Sequence, residues 1–283
     1  MIDQAGQQLV RRALAEDLAG YGDITSQWTV AADLPGRAVI IAKEDLVACG
    51  LPLAEAVLKA VDPQATFTAK VADGAQVTSG AVLATIDGAA RGILGAERTM
   101  LNFLIHLSGV ATQSRRFASA VEGTGALVVD TRKTIPGLRA WEKRAVVHGG
   151  CGNHRFGLFD MVLVKNNHLE ASGGVRPALD RVKAARARYV KVEVEVENEA
   201  DLREAIACKA DVIMLDNQGV DSLRRLVQIA RELEPEVVLE ASGNVTLANV
   251  REIAQTGVDL ISTSALTMGA PPVDLSLTLT VGG

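Results

Sequence analysis

The stretch Val212-Ile213-Met214-Leu215-Asp216 is a short apolar run that ends in a carboxylate. The second half of the chain contains six runs of this kind, each followed by a polar or charged residue and a helix-like segment, at residues 127–129, 161–164, 190–194, 212–215, 237–239 and 260–261. Such runs are typical of parallel strands buried on both faces, and helical crossovers between them indicate a βα array. Because the carboxyl ends of these strands share one mouth in barrel proteins, we expect the polar residues that follow them to form a site.

The composition favours an α/β protein with an aliphatic core. The chain has 283 residues, of which 48% are apolar and 3% aromatic, enough for one large or two modest domains. A net charge of −5 argues against nucleic acid or an anionic membrane as a partner. No signal peptide and no run of membrane-spanning length is visible, so we expect a cytoplasmic protein. The three cysteines, Cys49, Cys151 and Cys208, lack the pair spacing of a zinc site and suit a reducing compartment.

The apolar pattern divides the chain into two expected domains. Residues 1–110 combine a helical N-terminus with strand-like runs separated by Pro and Gly turns, which indicates an α+β domain. Residues 111–270 contain the βα units; six units are fewer than the eight of a closed barrel, so the barrel is either open or completed by other segments. The strand-like tail 271–283 is expected to return to the first domain, and the helical stretch 91–119 to be interrupted near Ser108-Gly109. The clearest barrel helices are expected at residues 138–148, 175–187, 199–207, 220–232 and 246–255.

Basic residues are concentrated between positions 132 and 155. This segment carries six Arg or Lys residues and one carboxylate, Glu142, although the whole chain is negative. Arg139, Lys143 and Arg144 have helical spacing, so a solvated helix face accounts for part of the cluster.

The remaining basic residues indicate an anionic ligand. Arg132-Lys133 and His154-Arg155 flank Gly- and Pro-rich turns instead of an exposed helix, and Lys165 closes an apolar strand. A guanidinium binds carboxylate or phosphate with two parallel hydrogen bonds, and a buried lysine is costly unless an anion meets it. The pattern therefore predicts a small molecule with several negative charges.

Carboxylates close two neighbouring strands of the expected barrel. Glu193, Glu195 and Glu197 alternate along one strand and share a side; Glu197 fits a solvated face. Glu195 and Asp216 are expected at the mouth, where two hard oxygen ligands suit Mg²⁺ bound with a diphosphate, or hydrogen bonds to sugar hydroxyls.

Two turns are candidates for a phosphate cradle. Residues 241–244, which include Ser242 and Gly243, precede a helix expected to start at Thr246, whose free N–H groups would face an anion. Thr263-Ser264-Ala265 follows the last strand, where many barrels bind phosphate. Each turn taken alone also fits an ordinary helix cap.

Longer blocks around these residues resemble the quinolinate phosphoribosyltransferase family (nicotinate-nucleotide pyrophosphorylase, carboxylating). The blocks cover nearly the whole chain in the family's order, which makes the combination highly specific. They are Gly22-Asp23-Ile24-Thr25, Glu97-Arg98-Thr99-Met100-Leu101-Asn102, Asp130-Thr131-Arg132-Lys133-Thr134-Ile135-Pro136-Gly137-Leu138-Arg139, Asn153-His154-Arg155-Phe156-Gly157-Leu158, Lys165-Asn166-Asn167-His168, Glu193-Val194-Glu195-Val196-Glu197, Met214-Leu215-Asp216-Asn217 and Glu240-Ala241-Ser242-Gly243.

The resemblance implies a fold, an assembly and a reaction. The fold would be an N-terminal α+β sandwich followed by an open α/β barrel of six or seven strands, in a homodimer or a multiple of dimers. The enzyme would transfer phosphoribosyl from phosphoribosyl diphosphate to quinolinate, releasing diphosphate and CO₂ and leaving nicotinate mononucleotide for NAD biosynthesis. It would be a pentosyltransferase that uses Mg²⁺.

The family's site residues carry over by motif to positions of this sequence. Lys133, Glu195 and Asp216 would be catalytic, and Glu195 and Asp216 would hold the ribose hydroxyls and Mg²⁺. Arg98 would reach the quinolinate pocket of the partner subunit, while Ser242-Gly243 and Thr263-Ser264-Ala265 would bind the 5′-phosphate. The two carboxylates of quinolinate would be surrounded by Thr131, Arg132, Lys133, His154, Arg155 and Lys165.

Two departures from the family pattern leave alternatives open. Asn166 stands where the family usually has an acid, and Thr263-Ser264-Ala265 lacks the usual Gly. A Thr-Ser-Ala turn also resembles phosphoribosyltransferase-like paralogues associated with molybdenum transport, which would act on another anionic base. Those paralogues lack the blocks around Asn153, Lys165 and Leu215, so they are the alternative function; a third is a catalytically silent anion-binding protein.

Overall fold

The computed structural model describes residues 2–281, so the outer ends of the expected domain 1–110 and of the tail 271–283 lie outside the described residues. The strands are β1 Pro35–Ala42, β2 Leu46–Val47, β3 Thr66–Ala69, β4 Gln76–Val77, β5 Val82–Ala89, β6 Leu127–Val129, β7 Val162–Val164, β8 Val192–Val196, β9 Val212–Asp216, β10 Val238–Ser242, β11 Leu260–Ser262 and β12 Leu275–Val281. The helices are α1 Gln4–Leu18, α2 Ile24–Thr29, α3 Leu51–Val61, α4 Ala90–Ala120, α5 Arg139–His148, α6 Asn166–Ser172, α7 Val175–Ala185, α8 Glu199–Ala207, α9 Val220–Leu233 and α10 Val250–Ala254. None of the helices in residues 2–281 is both long and apolar enough to cross a membrane.

The first of two compact units contains an antiparallel sheet. It comprises the residues up to Arg115, residues Ile135–Gly150 and the residues from Ala270 onward. Its main sheet has the order β12-β1-β5-β3, so the C-terminal strand β12 pairs with β1. In β1 the buried residues Gly36, Ala38, Ile40 and Ala42 alternate with more accessible ones, as expected for a sheet that faces the core on one side. The unit also contains α5, which the sequence had assigned to the barrel helices.

Helix α4 is continuous, so the expected interruption near Ser108-Gly109 is wrong. Gly109 lies inside the helix, and a Cβ there would overlap the carbonyl oxygen of Pro271. The Ser108 hydroxyl is buried and donates to the carbonyl of Cys49. These small residues permit close approach of another segment to the helix instead of ending it.

The second unit is a six-stranded parallel sheet with the order β6-β11-β10-β9-β8-β7. It comprises residues Arg116–Thr134 and Cys151–Gly269, and no ladder within residues 2–281 joins the edge strands β6 and β7. The expected open α/β barrel is therefore confirmed, with six strands. The sequence missed the short helix α6, which begins directly after Lys165 and ends at Gly173 in the left-handed conformation.

Candidate active site

A cavity of about 310 Å³ lies in the second unit. Seven residues that the sequence analysis selected line it, and they come from the loops and strand ends that follow β6, β7 and β10, and from the segment 154–155. Three further lining residues, Leu163, Met214 and Ser262, belong to strands; Ser262 directly follows the apolar run 260–261, whereas Leu163 and Met214 lie inside apolar runs and were not predicted. The seven predicted lining residues are Thr131, Arg132, Lys133, His154, Arg155, Lys165 and Ser242.

The loop that carries Arg132 and Lys133 is held by its backbone. The N–H of Lys133 donates to the Thr131 hydroxyl at 3.0 Å, and the Thr267 hydroxyl donates to the carbonyl of Lys133 at 2.7 Å. Thr267 is buried, whereas Lys133 is exposed. The basic side chain is therefore presented from a fixed backbone and remains accessible to a ligand.

His154 and Arg155 are positioned by neighbouring polar groups. The buried Asp130 accepts the N–H of His154 at 2.9 Å, and one guanidinium nitrogen of Arg155 donates to the carbonyl of Met161 at 3.1 Å. Burial and the positive charge of Arg132 lower the pKa of Arg155, an effect that the negative charge of Glu193 opposes. An anionic ligand between the two guanidinium groups would relieve their mutual repulsion.

Two fully buried carboxylates lie behind His154. Its Nε2 is 3.0 Å from Oε2 of Glu193 and 3.5 Å from Oε2 of Glu240. Its Nδ1 accepts the N–H of Arg155 at 2.7 Å, so in the neutral ring the proton lies on Nε2, the nitrogen nearer the carboxylates. Burial, followed by the charge of Glu193, raises the pKa of Glu240 to about 8, although the proximity of His154 and Ser262 opposes the shift. At neutral pH Glu240 is therefore mostly protonated.

Lys165 and Glu195 form an ion pair at the cavity mouth. The Lys165 ammonium is 3.4 Å from Oε2 of Glu195; the lysine side chain is 50% exposed and the glutamate side chain 10%. The expectation that Lys165 is a buried lysine is therefore wrong, because it follows β7 at the rim instead of lying within the strand. Its backbone N–H donates to Nδ1 of His168 at 3.0 Å, which fixes the start of α6.

Asp216 ends β9 beside the strand that carries Ser242. The two residues are partners in the parallel ladder, and Asn217 donates its amide to the Asp216 carboxylate at 2.5 Å. Glu195 lies at the end of the adjacent strand β8, opposite Met214 of β9. The pair offers oxygen ligands from two strand ends, which fits a Mg²⁺ ion that keeps several waters and also contacts substrate phosphate.

The turn after β10 differs from the expected helical cradle. Helix α10 begins at Val250, so the expected start at Thr246 is wrong. The Asn249 side chain accepts the N–H of Thr246 at 2.8 Å and donates to the carbonyl of Asn244 at 3.0 Å, which closes a loop before the helix. Gly243 has φ +99°, and a Cβ there would overlap the Asn217 side chain. Any anion at this turn would therefore meet loop N–H groups and the Ser242 hydroxyl.

In the turn after β11, the Thr263 hydroxyl forms hydrogen bonds within the protein. Thr263 is buried; its hydroxyl donates to the carbonyl of Val245 at 3.2 Å and accepts the N–H of Ala265 at 3.1 Å. Ser264 and Ala265 begin a single 3₁₀ turn, Ser264–Leu266, and are half-buried. The Thr263 hydroxyl therefore shapes the turn, while Ser264 carries the hydroxyl that remains closer to solvent.

In the first unit, the structure separates the remaining basic residues. Arg98 lies exposed on α4, and Arg144 is exposed with its guanidinium 4.5 Å from the centre of the Trp141 ring. Lys143 is buried, so its assignment to a solvated helix face is wrong. Glu142 is buried as well and accepts both Nε2 of His106 at 2.7 Å and the N–H of Ile135 at 3.1 Å.

Comparisons with known proteins agree with this geometry. The family models for quinolinate phosphoribosyl transferase, N-terminal domain and C-terminal domain, match residues 23–108 and 110–278. The chain is 43% identical over 277 residues to nicotinate-nucleotide pyrophosphorylase (carboxylating) of Mycobacterium leprae, covering 97% of each chain. It is 39% identical over 285 residues to quinolinate phosphoribosyltransferase (decarboxylating) 1b of Nicotiana tabacum, covering 95% of this chain and 81% of the relative.

A solved structure extends the similarity to three dimensions. The nicotinate-nucleotide pyrophosphorylase from Francisella tularensis superposes with a TM-score of 0.93 at 40% identity, covering 99% of this chain and 98% of that one. Sequence blocks, family models and fold thus point to the same assignment. The chain belongs to the quinolinate phosphoribosyltransferase family.

Proposed function

We propose that this chain transfers phosphoribosyl from phosphoribosyl diphosphate to quinolinate and decarboxylates the product to nicotinate mononucleotide, as a step in NAD biosynthesis. The observation that carries the proposal is the single cavity of about 310 Å³ that collects Arg132, Arg155 and Lys165, with Glu195 adjoining Lys165. The basic groups proposed to bind the pyridine dicarboxylate therefore line one cavity, and Glu195, one of the two carboxylates proposed for the sugar, contacts the cavity-lining Lys165. The reaction class is that of a pentosyltransferase.

Quinolinate would be held by its two carboxylates. Arg132 and Arg155, whose mutual repulsion is already expressed in the lowered pKa of Arg155, would bind one, and Lys165 with Lys133 the other. His154 would keep Arg155 in place through its backbone contact, with its own ring fixed by Glu193. This leaves the pyridine nitrogen free to attack the anomeric carbon of the ribose.

Glu195 and Asp216 would act on the ribose and its leaving group. Attack at the anomeric carbon passes through an oxocarbenium-like state, which carboxylates near the ribose stabilise. Mg²⁺ is a proposed cofactor; when bound it would neutralise charge on the departing diphosphate, with Glu195 and Asp216 as its protein ligands. N-ribosylation leaves a pyridinium whose positive charge stabilises the electron pair that stays on the adjacent ring carbon when its carboxylate departs as CO₂. A proton from water then binds this carbon and completes nicotinate mononucleotide. No protein general base is required to begin.

The rest of the site would bind phosphate and a neighbouring subunit. Ser242 and Gly243, together with Ser264 and Ala265, would receive the 5′-phosphate through loop N–H and hydroxyl groups. The exposed Arg98 would extend into the site of a partner subunit, so we propose a homodimer or a multiple of dimers. All three cysteines within the described residues are free thiols, which supports a cytoplasmic location.

The direct test supplies quinolinate, phosphoribosyl diphosphate and Mg²⁺ to the purified protein. We expect nicotinate mononucleotide, diphosphate and CO₂ in equal amounts. Arg155→Ala should lose this activity, whereas the exposed Arg181→Ala on α7 should not. Product formation without CO₂, or no product at any substrate concentration, would refute the proposal.

The same assay separates the alternatives. A paralogue acting on another anionic base would turn over with nicotinate or a related acid but not with quinolinate. A silent binding protein would retain ligand without forming diphosphate. Asp216→Ala should affect the KM for phosphoribosyl diphosphate more than that for quinolinate, since Asp216 lies at the strand ends proposed to hold the ribose.

A further inference from the structure

A second cluster of metal-ligating side chains lies in the first unit and is separate from the proposed catalytic residues. Cys49, Asp73 and His148 each offer one ligand atom, and the three atoms lie within 4.8 Å of one another. Their segments are far apart in sequence: Cys49 precedes α3, Asp73 is in the turn before β4, and His148 ends α5. No local cysteine spacing could therefore have indicated the cluster.

The Asp73 carboxylate is already oriented toward the cluster. Its Oδ1 accepts the N–H of Leu51 at 3.1 Å, and its Oδ2 lies 4.0 Å from the Cys49 sulfur. Burial and the charge of Asp73 raise the pKa of the Cys49 thiol. Without a metal, the Cys49 thiol keeps its proton and is a poor nucleophile. A bound metal cation would replace that proton, because the thiolate is the form that binds metals.

The His148 ring is packed against the turn that carries Asp73. Gly74 has φ +90°, and a Cβ there would come within 3.0 Å of Nδ1 of His148. Asp73 and His148 line a cavity of about 430 Å³, whose wall also includes Glu55. The cluster thus has a buried sulfur on one side and an accessible space on the other.

We propose that Cys49, Asp73 and His148 form a binding site for a borderline-soft divalent transition metal of the zinc class, with its fourth position open to the adjoining cavity. One sulfur, one imidazole nitrogen and one carboxylate oxygen are ligands that Zn²⁺ and Co²⁺ accept and that Mg²⁺ does not favour. Tetrahedral zinc holds its ligand atoms about 2.0–2.3 Å from the ion, and hence about 3.3–3.8 Å from one another, so the three atoms would have to move closer together when the ion binds.

By coordinating all three side chains, the metal would cross-link the segment before α3, the turn at Asp73 and the end of α5. Because only the folded unit brings these three ligands together, binding favours the folded state. The site is independent of the proposed reaction, and its occupancy is measured without an activity assay.

The test adds Co²⁺ to chelator-treated full-length protein and records the absorption spectrum. We expect a near-ultraviolet thiolate-to-cobalt charge-transfer band that Zn²⁺ abolishes by competition and excess Mg²⁺ does not. Cys49→Ser should remove the band, and the matched control Cys208→Ser, which changes a cysteine of the second unit, should retain it. His148→Ala should weaken Co²⁺ binding at least tenfold.

Thermal unfolding provides a readout that does not depend on Cys49 tolerating substitution. Zn²⁺ at a hundredfold excess over its Kd should raise the Tm of the wild type by about 5 °C. It should leave the Tm of His148→Ala unchanged, since His148 is only partly buried and its loss is compatible with folding. Absence of the cobalt–thiolate band, its survival in Cys49→Ser, or an equal zinc-induced shift in His148→Ala would overturn the proposal.

Discussion

Two charge clusters on the two sheets show how differently the units use polar side chains. In the antiparallel sheet, Arg37 of β1 and Asp87 of β5 are cross-strand partners 3.5 Å apart, with side chains 70% and 55% exposed. In the parallel sheet, Glu193 of β8 and Glu240 of β10 are fully buried and converge on His154. An exposed pair is screened by water, whereas buried charges are costly unless function or partners retain them. The buried cluster is therefore part of the site, and the exposed pair is surface.

The largest expected effect is the loss of one buried carboxylate. Glu193→Ala leaves the Nε2–H of the buried His154 without its closer acceptor, and an unsatisfied buried donor costs about 1–3 kcal/mol, to which the cavity left by the side chain adds. Urea unfolding followed by circular dichroism measures the change, with Asp87→Ala as the matched control from the exposed pair. If Glu193→Ala and Asp87→Ala lost similar amounts of unfolding free energy, the buried and the exposed cluster would not differ in their contribution to stability.

The next effect is on substrate use at the rim. Lys165→Ala should reduce kcat/KM for quinolinate about 10–100-fold, since a hydrogen bond to a charged group contributes about 1.5–3 kcal/mol. Steady-state kinetics with each substrate varied in turn measures it. Lys191→Ala is the control, because this lysine is 71% exposed and lies just before β8, at the amino end of the strands, whereas Lys165 lies at their carboxyl end. A normal KM and kcat for Lys165→Ala would show that the Lys165 ammonium forms an ion pair with Glu195 but does not bind quinolinate.

A smaller and pH-dependent effect follows from the raised pKa of Glu240. Folded Glu240 has a pKa of about 8, whereas an unfolded glutamate titrates near pH 4.3, so the folded chain binds more protons between these values. This contribution to stability is complete below the lower pKa and is lost as pH rises to 8. The quantity compared is the change in the free energy of unfolding between pH 6 and pH 7, which is at most about 1.4 kcal/mol. Glu240→Gln lacks the titration, so its stability relative to the wild type should rise with pH across this window. Urea unfolding gives the free energy of unfolding of each protein at each pH. If it changed with pH in the same way for the wild type and Glu240→Gln, the raised pKa of Glu240 would be contradicted.

The smallest effect concerns the exposed pair itself. A double-mutant cycle of Arg37→Ala and Asp87→Ala should give a coupling energy of about 0.2–1 kcal/mol, and high salt should reduce it further. Unfolding midpoints of the four proteins provide the measurement. If the Arg37–Asp87 coupling energy were as large as the loss of unfolding free energy in Glu193→Ala, solvent exposure would not explain a difference in strength between the two clusters.

Much of this organisation follows from local sequence pattern. The apolar runs predicted every strand of the barrel, and the polar segments that follow three of these runs contain several cavity-lining residues, including Thr131, Lys165 and Ser242. Both depend on the fixed period of a strand and on the shared direction of parallel strands. Resemblance to the family then supplied the chemistry that these residues serve.

The sequence misled or gave no signal where side chains of distant segments meet and where a side chain closes a local loop. Glu193 and Glu240 lie on strands separated by β9, so their approach depends on the curvature of the sheet, which no strand encodes alone. Thr246 resembled a helix start, but the Asn249 side chain closes a loop first. Gly109 resembled a helix break, but it accommodates the carbonyl of Pro271.

The position of β12 has a consequence for synthesis on the ribosome. All six strands of the parallel sheet are available once residue 262 has emerged, whereas the edge of the antiparallel sheet lies at Leu275–Val281. The antiparallel sheet that contains β1 must therefore wait for Leu275–Val281 before it is complete. Until then β1 exposes an unpaired edge, and a translational pause between residues 262 and 275 would prolong its risk of aggregation.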